Sequence, residues 1–562
     1  MDFDKRTVIA IILVTIIILL TPLYQKLIFK NSQNYQVINN ASIDTLKQAK
    51  SNASSDLSIK SNQDSISNEK SEVVDSVSSS TEEVVSQDTT FEISYDTLEN
   101  EYYLLVFSSK GGVLRKAYLK EYKSYVQSDT FSIVQLIPED YNGFLNNKLY
   151  YGKRVLDLSK YNFNFYKSGN KLYAEARVLF DSDTVVVKKV FSIGDKKYTL
   201  NYEYNILSKE IIDNNIVELD GGINVTERNI KDDLGYFKAY ARMGDDVIEE
   251  DLAKKEEINT IEKTGASHWI ALKSKYFLGS IICDKNSDGI ILKGKKIKEK
   301  DSKFDKKYYN AALKFKNKYS LSNKLLVYLG PIDYLHLKSF GIGLEKTVNL
   351  GGMLIKPFSI MTTYMLIFFS KFIANYGLVI ILFSLVIKLL TFPFTHKSYE
   401  STKKMSELQP QLEALKEKYK NNPQQLNKAT MDLYKKAGVN PLGGCLPLLF
   451  QMPIFFGLYR VFASTIMLRN ESFLWINNLA DKDPTLILPI IMAVMSLVQS
   501  LMTIKDPKQK MTAYIMPIFL FFIFKGLAAG LVLYWTCFNV FTIVQQELVN
   551  KFYKGKAVSN SK

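Results

Sequence analysis

Apolar and polar positions along the chain fall into four textures, and each predicts a different structure. Residues 7–20 are apolar without interruption and follow Lys5 and Arg6. That run is at the short end of the about 17–25 residues of a membrane span. No small-x-small cleavage site follows, the next residues being Tyr24, Gln25, Lys26 and Leu27. An uncleaved signal anchor over 1–30 is therefore expected, with its basic end in the cytoplasm. Residues 31–90 are rich in Ser, Asn, Asp and Glu and carry too little apolar surface to offset chain entropy, which predicts a disordered linker. From 91 to 340 the period changes to two. Tyr198, Leu200, Tyr202, Tyr204 and Ile206 alternate with Thr199, Asn201, Glu203 and Asn205, the pattern of a half-buried strand. Residues 171–180 and 184–191 also read as strands, and many strands in one region predict an all-β sandwich.

The remainder is dominated by apolar runs. Residues 358–394 exceed what one crossing needs, and Asn375, Tyr376 and Gly377 supply the break. Residues 341–374, with Lys356, Pro357, Thr362, Thr363 and Lys371, are expected to lie along the interface as an amphipathic helix. Residues 375–395 are expected to span. A polar excursion follows over 396–440, where Met405, Leu408, Leu412, Leu415 and Tyr419, then Leu426, Thr430, Leu433 and Ala437, keep helical spacing. With Pro423 opening the second helix, this predicts a helical hairpin. Further spans are expected at 441–465, 486–504, 512–525 and 531–549, joined by an outer loop (466–485), an inner loop (505–511) and an outer turn (526–530). The lysine-rich hairpin, the inner loop with Lys505, Lys508 and Lys510, and the basic tail 550–562 belong on the cytoplasmic side. Six spans result, with both termini inside and the β domain outside.

Composition changes this picture little. The 47% hydrophobic fraction averages very polar and very apolar regions. The net charge of +15 is scattered rather than gathered into a basic stripe with interleaved aromatics, which argues against a sequence-specific nucleic-acid partner. Cys283, Cys445 and Cys537 have unrelated spacings and suggest neither a disulfide framework nor a metal site. His268, His336 and His396 fall in unrelated contexts, and no G-x-S-x-G or phosphate loop occurs, so no enzyme, catalytic residue, metal or cofactor is expected.

Candidate chemistry lies instead inside the spans. Lys388 sits about 9 Å from the Phe394 end of its run. An intramembrane charge costs roughly 2.5–3.5 kcal/mol on insertion scales, which points to function; a lysine can also snorkel that distance. Both readings stand on this residue alone. Gln451, Gln499 and Asn539 place amides in three other spans, where interhelical hydrogen bonding is the simpler role. Several such groups around one cation favour a wet interior or groove. A secondary transporter would use the same cation, but would be expected to show internal repeats or paired broken helices. A membrane-anchored, glycan-binding or hydrolytic protein would place function in the β domain.

The run 440–455 (NPLGGCLPLLFQMPIF) resembles the third span of the YidC/Oxa/Alb family of membrane protein insertases. The stretch GLVLYW at 530–535, followed by Asn539, Gln545 and Gln546, resembles the family's last span, and Leu488-Pro489-Ile490 and Asp506-Pro507 fit the stretches between. The resemblance covers about residues 375–549. It implies a six-span helical membrane protein with a cytoplasmic helical hairpin and an inserted periplasmic β-sandwich, in the bacterial inner membrane. It also implies insertion and assisted folding of membrane proteins, alone or with the Sec translocon. The implied site is a cytoplasm-open hydrophilic groove formed by Lys388, Gln451, Gln499, Trp535 and Asn539. Lys388 stands where the family usually has arginine; the charge is kept and the planar five-donor fork is lost. Implied partners are nascent membrane proteins, the ribosome (weakly, through the basic tail), the Sec translocon, targeting machinery and membrane lipids.

Overall fold

The computed structural model describes residues 92–124, 132–181, 183–252, 258–297, 305–438, 446–503 and 510–559. The expected signal anchor and linker lie outside the described residues.

Among the described residues, fifteen antiparallel strands form one continuous β structure. Its frame is four long strands: β10 (Thr199–Asp220), β13 (Ile258–Lys273), β14 (Phe277–Ile297) and β15 (Lys306–Pro331). Their ladders slip register between Leu207 and Ile212, between Cys283 and Gly289, and on either side of Ser267. Bulges of this kind bend strands. The first part of β10 accordingly pairs with β9 (Asp183–Ile193) and the second with β5 (Phe144–Tyr151). Two leaves thus share one apolar core, to which Leu200, Tyr202, Tyr204 and Ile206 all contribute. On β9 the inward positions are Val185, Val187, Lys189 and Phe191. Period two therefore carries a lysine into the core. Its Nζ donates to the carbonyls of Gly111, Gly112 and Leu145 at 2.9, 3.2 and 3.1 Å, one acceptor for each of the three donors of an ammonium. Burial nevertheless pushes Lys189 down to about 7.

A short helix, α1 (Ile230–Gly235), follows β10, and α2 (Tyr334–Lys338) follows β15. The helical half consists of α3 (Lys356–Ser370), α4 (Tyr376–Glu407), α5 (Gln409–Lys418), α6 (Pro423–Lys436), α7 (Leu446–Ser464), α8 (Ile487–Thr503), α9 (Lys510–Phe524) and α10 (Ala529–Ser559). Helix α3 crosses α7 closely at Gly457, where a Cβ would lie 2.8 Å from Phe358 Cβ and 3.1 Å from Ser359 N. Ser359 Oγ donates to the Gly457 carbonyl there at 3.3 Å.

Several helix boundaries differ from expectation: α3 is confined to Lys356–Ser370 within the expected 341–374, and two helices overrun their expected ends. Helix α4 continues beyond Pro393 and the expected end at residue 395, reaching Glu407, about 48 Å at 1.5 Å per residue. Proline removes one donor and crowds a carbonyl. The carbonyl concerned is that of Leu389, whereas the hydroxyls of Thr391 and Thr395 turn back to the carbonyls of Ile387 and Thr391; the helix continues past the proline while packed against α10. In the hairpin, Asn422 caps α6 by accepting from Gln425 N. Helix α10 likewise runs on to Ser559, through the first part of the basic tail.

Among the described residues, one helical stretch, Tyr376–Pro393, is long and apolar enough to cross a membrane; Ile487–Thr503 and Ala513–Phe524 are shorter apolar helices. The loop between α7 and α8 folds into a cap. Leu468, Ile476, Leu479 and Ala480 are buried, and the carbonyls of Asp481 and Leu479 accept from Ala529 N (2.7 Å) and Gly530 N (2.8 Å). Two otherwise orphaned donors at the start of α10 are satisfied in this way.

Candidate functional site

Helix α10 gathers most of the polar chemistry of the helical half. Tyr534, Trp535, Phe538, Asn539, Thr542, Gln545 and Gln546 share an arc of roughly 140°, at 100° per residue. Neighbouring helices answer along that arc. On α4, Lys388 Nζ donates to Thr542 Oγ1 at 2.8 Å and lies 4.8 Å from the centre of the Phe538 ring. Two turns further along, Gln545 Nε2 donates to Thr395 Oγ1 at 3.1 Å. On α8, Ser496 Oγ accepts from Asn539 Nδ2 at 2.7 Å, and Thr503 Oγ1 accepts from Gln546 Nε2 at 2.8 Å. On α7, Gln451 Nε2 donates to the Tyr534 hydroxyl at 3.1 Å.

Hydrogen bonds between buried polar groups offset the loss of water around each group. The seam between α4 and α10 is shut over its cation: Lys388 is 4% exposed. Thr542 donates its own proton to the Phe538 carbonyl at 2.7 Å, which turns its lone pairs to the ammonium. The Phe538 face adds attraction through its ring quadrupole.

Toward the Ala529 end the character changes. Trp535 packs against Phe455 and Phe524 at 5.2 and 5.3 Å between ring centres, and Tyr534 against Phe383 at 5.8 Å. This aromatic layer lies about 10 Å along the helix from Thr542, seven residues at 1.5 Å each. The bundle is thus apolar at the end capped by the α7–α8 loop and polar toward the other.

Of the five residues expected to form the site, Lys388 and Asn539 both meet α10's polar arc, one from α4 and one from α10 itself. Gln451 joins through Tyr534. Gln499 is half-exposed, and only its backbone carbonyl takes part, accepting from Thr503 Oγ1 within α8 at 2.8 Å; its side-chain amide is not brought into the arc. Trp535 stands apart in the aromatic layer. Sequence reasoning missed Thr542, Thr395 and the Tyr534 hydroxyl as partners. The spacing of Tyr534, Phe538, Thr542 and Gln545 along one helix was a usable signal for them. Among the described residues, no group of His, Cys, Asp and Glu could hold a metal ion.

Two family models match the chain. One, described as the YidC periplasmic domain, matches residues 95–366; the other, described as the 60Kd inner membrane protein, matches residues 368–556. A protein of Prosthecochloris aestuarii described as membrane protein insertase YidC is 34% identical over 493 residues, covering 81% of this chain and 82% of that protein. One of Chlorobium limicola with the same description is 32% identical over 530 residues, covering 86% and 87%. A crystal structure described as active YidC insertase with the first transmembrane domain resolved is 20% identical, covers 81% of this chain and 93% of that one, and has a TM-score of 0.35.

Proposed function

Because the chain belongs to the YidC family of membrane protein insertases, proteins of the inner membrane rather than enzymes, we propose that the seam around Lys388 receives the hydrophilic part of an arriving membrane protein. The observation that carries this reading is a buried cation that α10 meets with a neutral hydroxyl and the face of a ring. An incoming carboxylate would replace a neutral acceptor with an ion pair. In a low-dielectric site that exchange is favourable once the substrate's own desolvation has been offset by its hydrogen bonds.

Admission requires α4 and α10 to part. The bonds lost are Lys388 to Thr542 and Gln545 to Thr395, while the α8–α10 bonds at Asn539 and Gln546 can persist. The substrate's apolar helix then partitions from the seam into lipid, and burial of its apolar surface supplies the free energy without nucleotide. Gln451, Gln499 and Asn539 would solvate the passing backbone, and Trp535 would close the apolar end. The site faces the cytoplasm in this reading, with six spans, both termini inside and the β domain in the periplasm.

The helical hairpin would receive substrate and contact targeting factors, and the basic end of the chain would touch the ribosome weakly. Chaperoning of folding and work beside the Sec translocon belong to the same proposal. The Leu412 side chain is buried in α5, whereas α6 buries none, leaving apolar surface of the hairpin available for such contacts.

Site-specific photocrosslinking tests the reading, with probes at the half-exposed Gln451 and Gln499 and ribosomes displaying a stalled single-span protein with an acidic flank. Crosslinks to that flank, weakened by Lys388→Met in a folded protein, are expected. Absence of crosslinks at both positions would refute the seam as the substrate site.

A further inference from the structure

Arg469 leaves the helical half and enters the β domain. It follows the 3-10 turn Ile466–Leu468 in the loop between α7 and α8, and its side chain is 1% exposed. Its Nε donates to Glu227 Oε1 at 2.8 Å and its Nη2 to the Lys123 carbonyl. The guanidinium also lies 5.6 and 5.3 Å from the ring centres of Tyr276 and Phe277. The three walls of this socket come from the end of β3 (Val113–Ser124), the segment after β10 and the start of β14.

The socket is itself braced. Thr226 Oγ1 donates to the Glu227 carboxylate at 2.8 Å. Asp233 on α1 accepts the backbone N–H groups of Thr226 and Lys275 at 2.9 and 3.2 Å. Lys275 Nζ pairs with Asp232 at 2.7 Å. Burying a guanidinium is costly unless its charge and donors are matched, and Nη1 finds no acceptor among the described residues. A contact selected for stability alone would avoid that cost with apolar side chains.

The loop that carries Arg469 is also the cap of α10, through the Leu479 and Asp481 carbonyls. Leu468, the residue before Arg469, reaches the same place: a Cβ on Gly530 would meet Leu468 Cδ1 at 3.3 Å and Ile380 Cδ1 at 3.2 Å. One loop therefore touches the β domain at one point and the start of α10, beside α4, at another.

We propose that Arg469 is a positioning residue through which the β domain clamps this loop over the near end of the α4–α10 seam, so that the seam parts only from its far end. The clamp assigns a mechanical task to the β domain: it holds the lid shut while substrate occupies the polar end. The functional half of this inference rests on the seam being the substrate site; the closure itself does not.

The test uses the full chain in proteoliposomes, with a reporter cysteine replacing the buried Ala480 and the native cysteines replaced by serine or alanine. Labelling by a membrane-impermeant maleimide from the β-domain side reads loop closure. Arg469→Met and Glu227→Gln should each speed labelling about tenfold, the double variant no further than either alone, and Arg469→Lys should restore part of the closure. If Arg469→Met does not fold, Glu227→Gln, which keeps the shape of the acid, gives the same reading. Labelling within twofold of the parent in Glu227→Gln would overturn the clamp. Faster labelling with unchanged insertion of a single-span substrate would overturn its role in positioning the seam. Crosslinking at Gln451 in the parent chain separately reports whether the seam receives substrate at all.

Discussion

Replacing Thr542 with valine removes a hydroxyl acceptor from Lys388 at nearly constant volume and leaves the Phe538 ring in place. The bond is 2.8 Å long, and both residues are buried. Hydrogen bonds to charged groups contribute about 1.5–3 kcal/mol in soluble proteins, whereas pairs in membrane bundles average about 0.6 and reach about 1.7 kcal/mol. The Thr542 proton is committed to the Phe538 carbonyl, so the acceptor is already oriented. A coupling of about 1–1.5 kcal/mol, in the upper part of the membrane range, is therefore expected. The assay is a double-mutant cycle of Thr542→Val and Lys388→Met, read by equilibrium unfolding in mixed micelles. Lys388→Met alone removes a buried cation and should leave the fold unchanged or more stable, since apolar replacements of buried ions are often neutral or stabilising. The same variant should lower insertion of an acidic-flanked substrate by about tenfold. A coupling below about 0.3 kcal/mol would refute the orientation argument. Loss of stability and insertion in proportion would refute the separation of function from folding.

Three further outcomes follow from the geometry. Gly457→Ala must push α3 from α7, because the new methyl meets the Phe358 Cβ and backbone atoms, none of which can swing aside; a loss of about 1–3 kcal/mol is expected, and a melting temperature equal to the parent's would show that the crossing is loose. Asp233 is pushed up to about 6 by burial, so its contribution to stability is fully present below about 3.8 and is lost as pH rises through about 6, at most about 3 kcal/mol. Asp233→Asn should flatten the pH dependence of unfolding between pH 4 and 6.5, and an unchanged slope would assign that dependence elsewhere. Asn539→Leu should cost about 0.5–1.5 kcal/mol by removing the interhelical donor to Ser496; a neutral result would mean that this amide does not hold α8 to α10.

Legibility in the sequence follows the range of the forces involved. Period two along 198–206 was enough to say which side of β10 turns inward, because a strand alternates faces whatever surrounds it. By the same rule Val185, Val187 and Phe191 carry Lys189 inward with them, and the run of valines could have announced it. The apolar runs that form α3, α4 and α8, and the Pro-started helix α6, were likewise local facts of composition, spacing and capping. Pro393 shows where local rules stop. Its chemistry predicts an end to the helix, but the packing of α4 against α10 carries the helix through.

The family could be recognised from runs of residues such as 440–455 and 530–535, since motifs are contiguous. What Lys388 touches could not, because Thr542 lies 154 residues away. Nothing in the local sequence marks Arg469, whose partner Glu227 is 242 residues distant. The sequence by itself determined a few strands (171–180, 184–191 and 198–206) within a β region, the apolar helical runs beyond it, and that a cation lies within one of them. Only the tertiary structure decided that the cation is met by a hydroxyl and a ring, and that a loop arginine joins the two halves of the chain. The physical reason is that periodicity and propensity act over a few residues, whereas the partner of a buried charge is chosen by whichever distant surface packing brings to it.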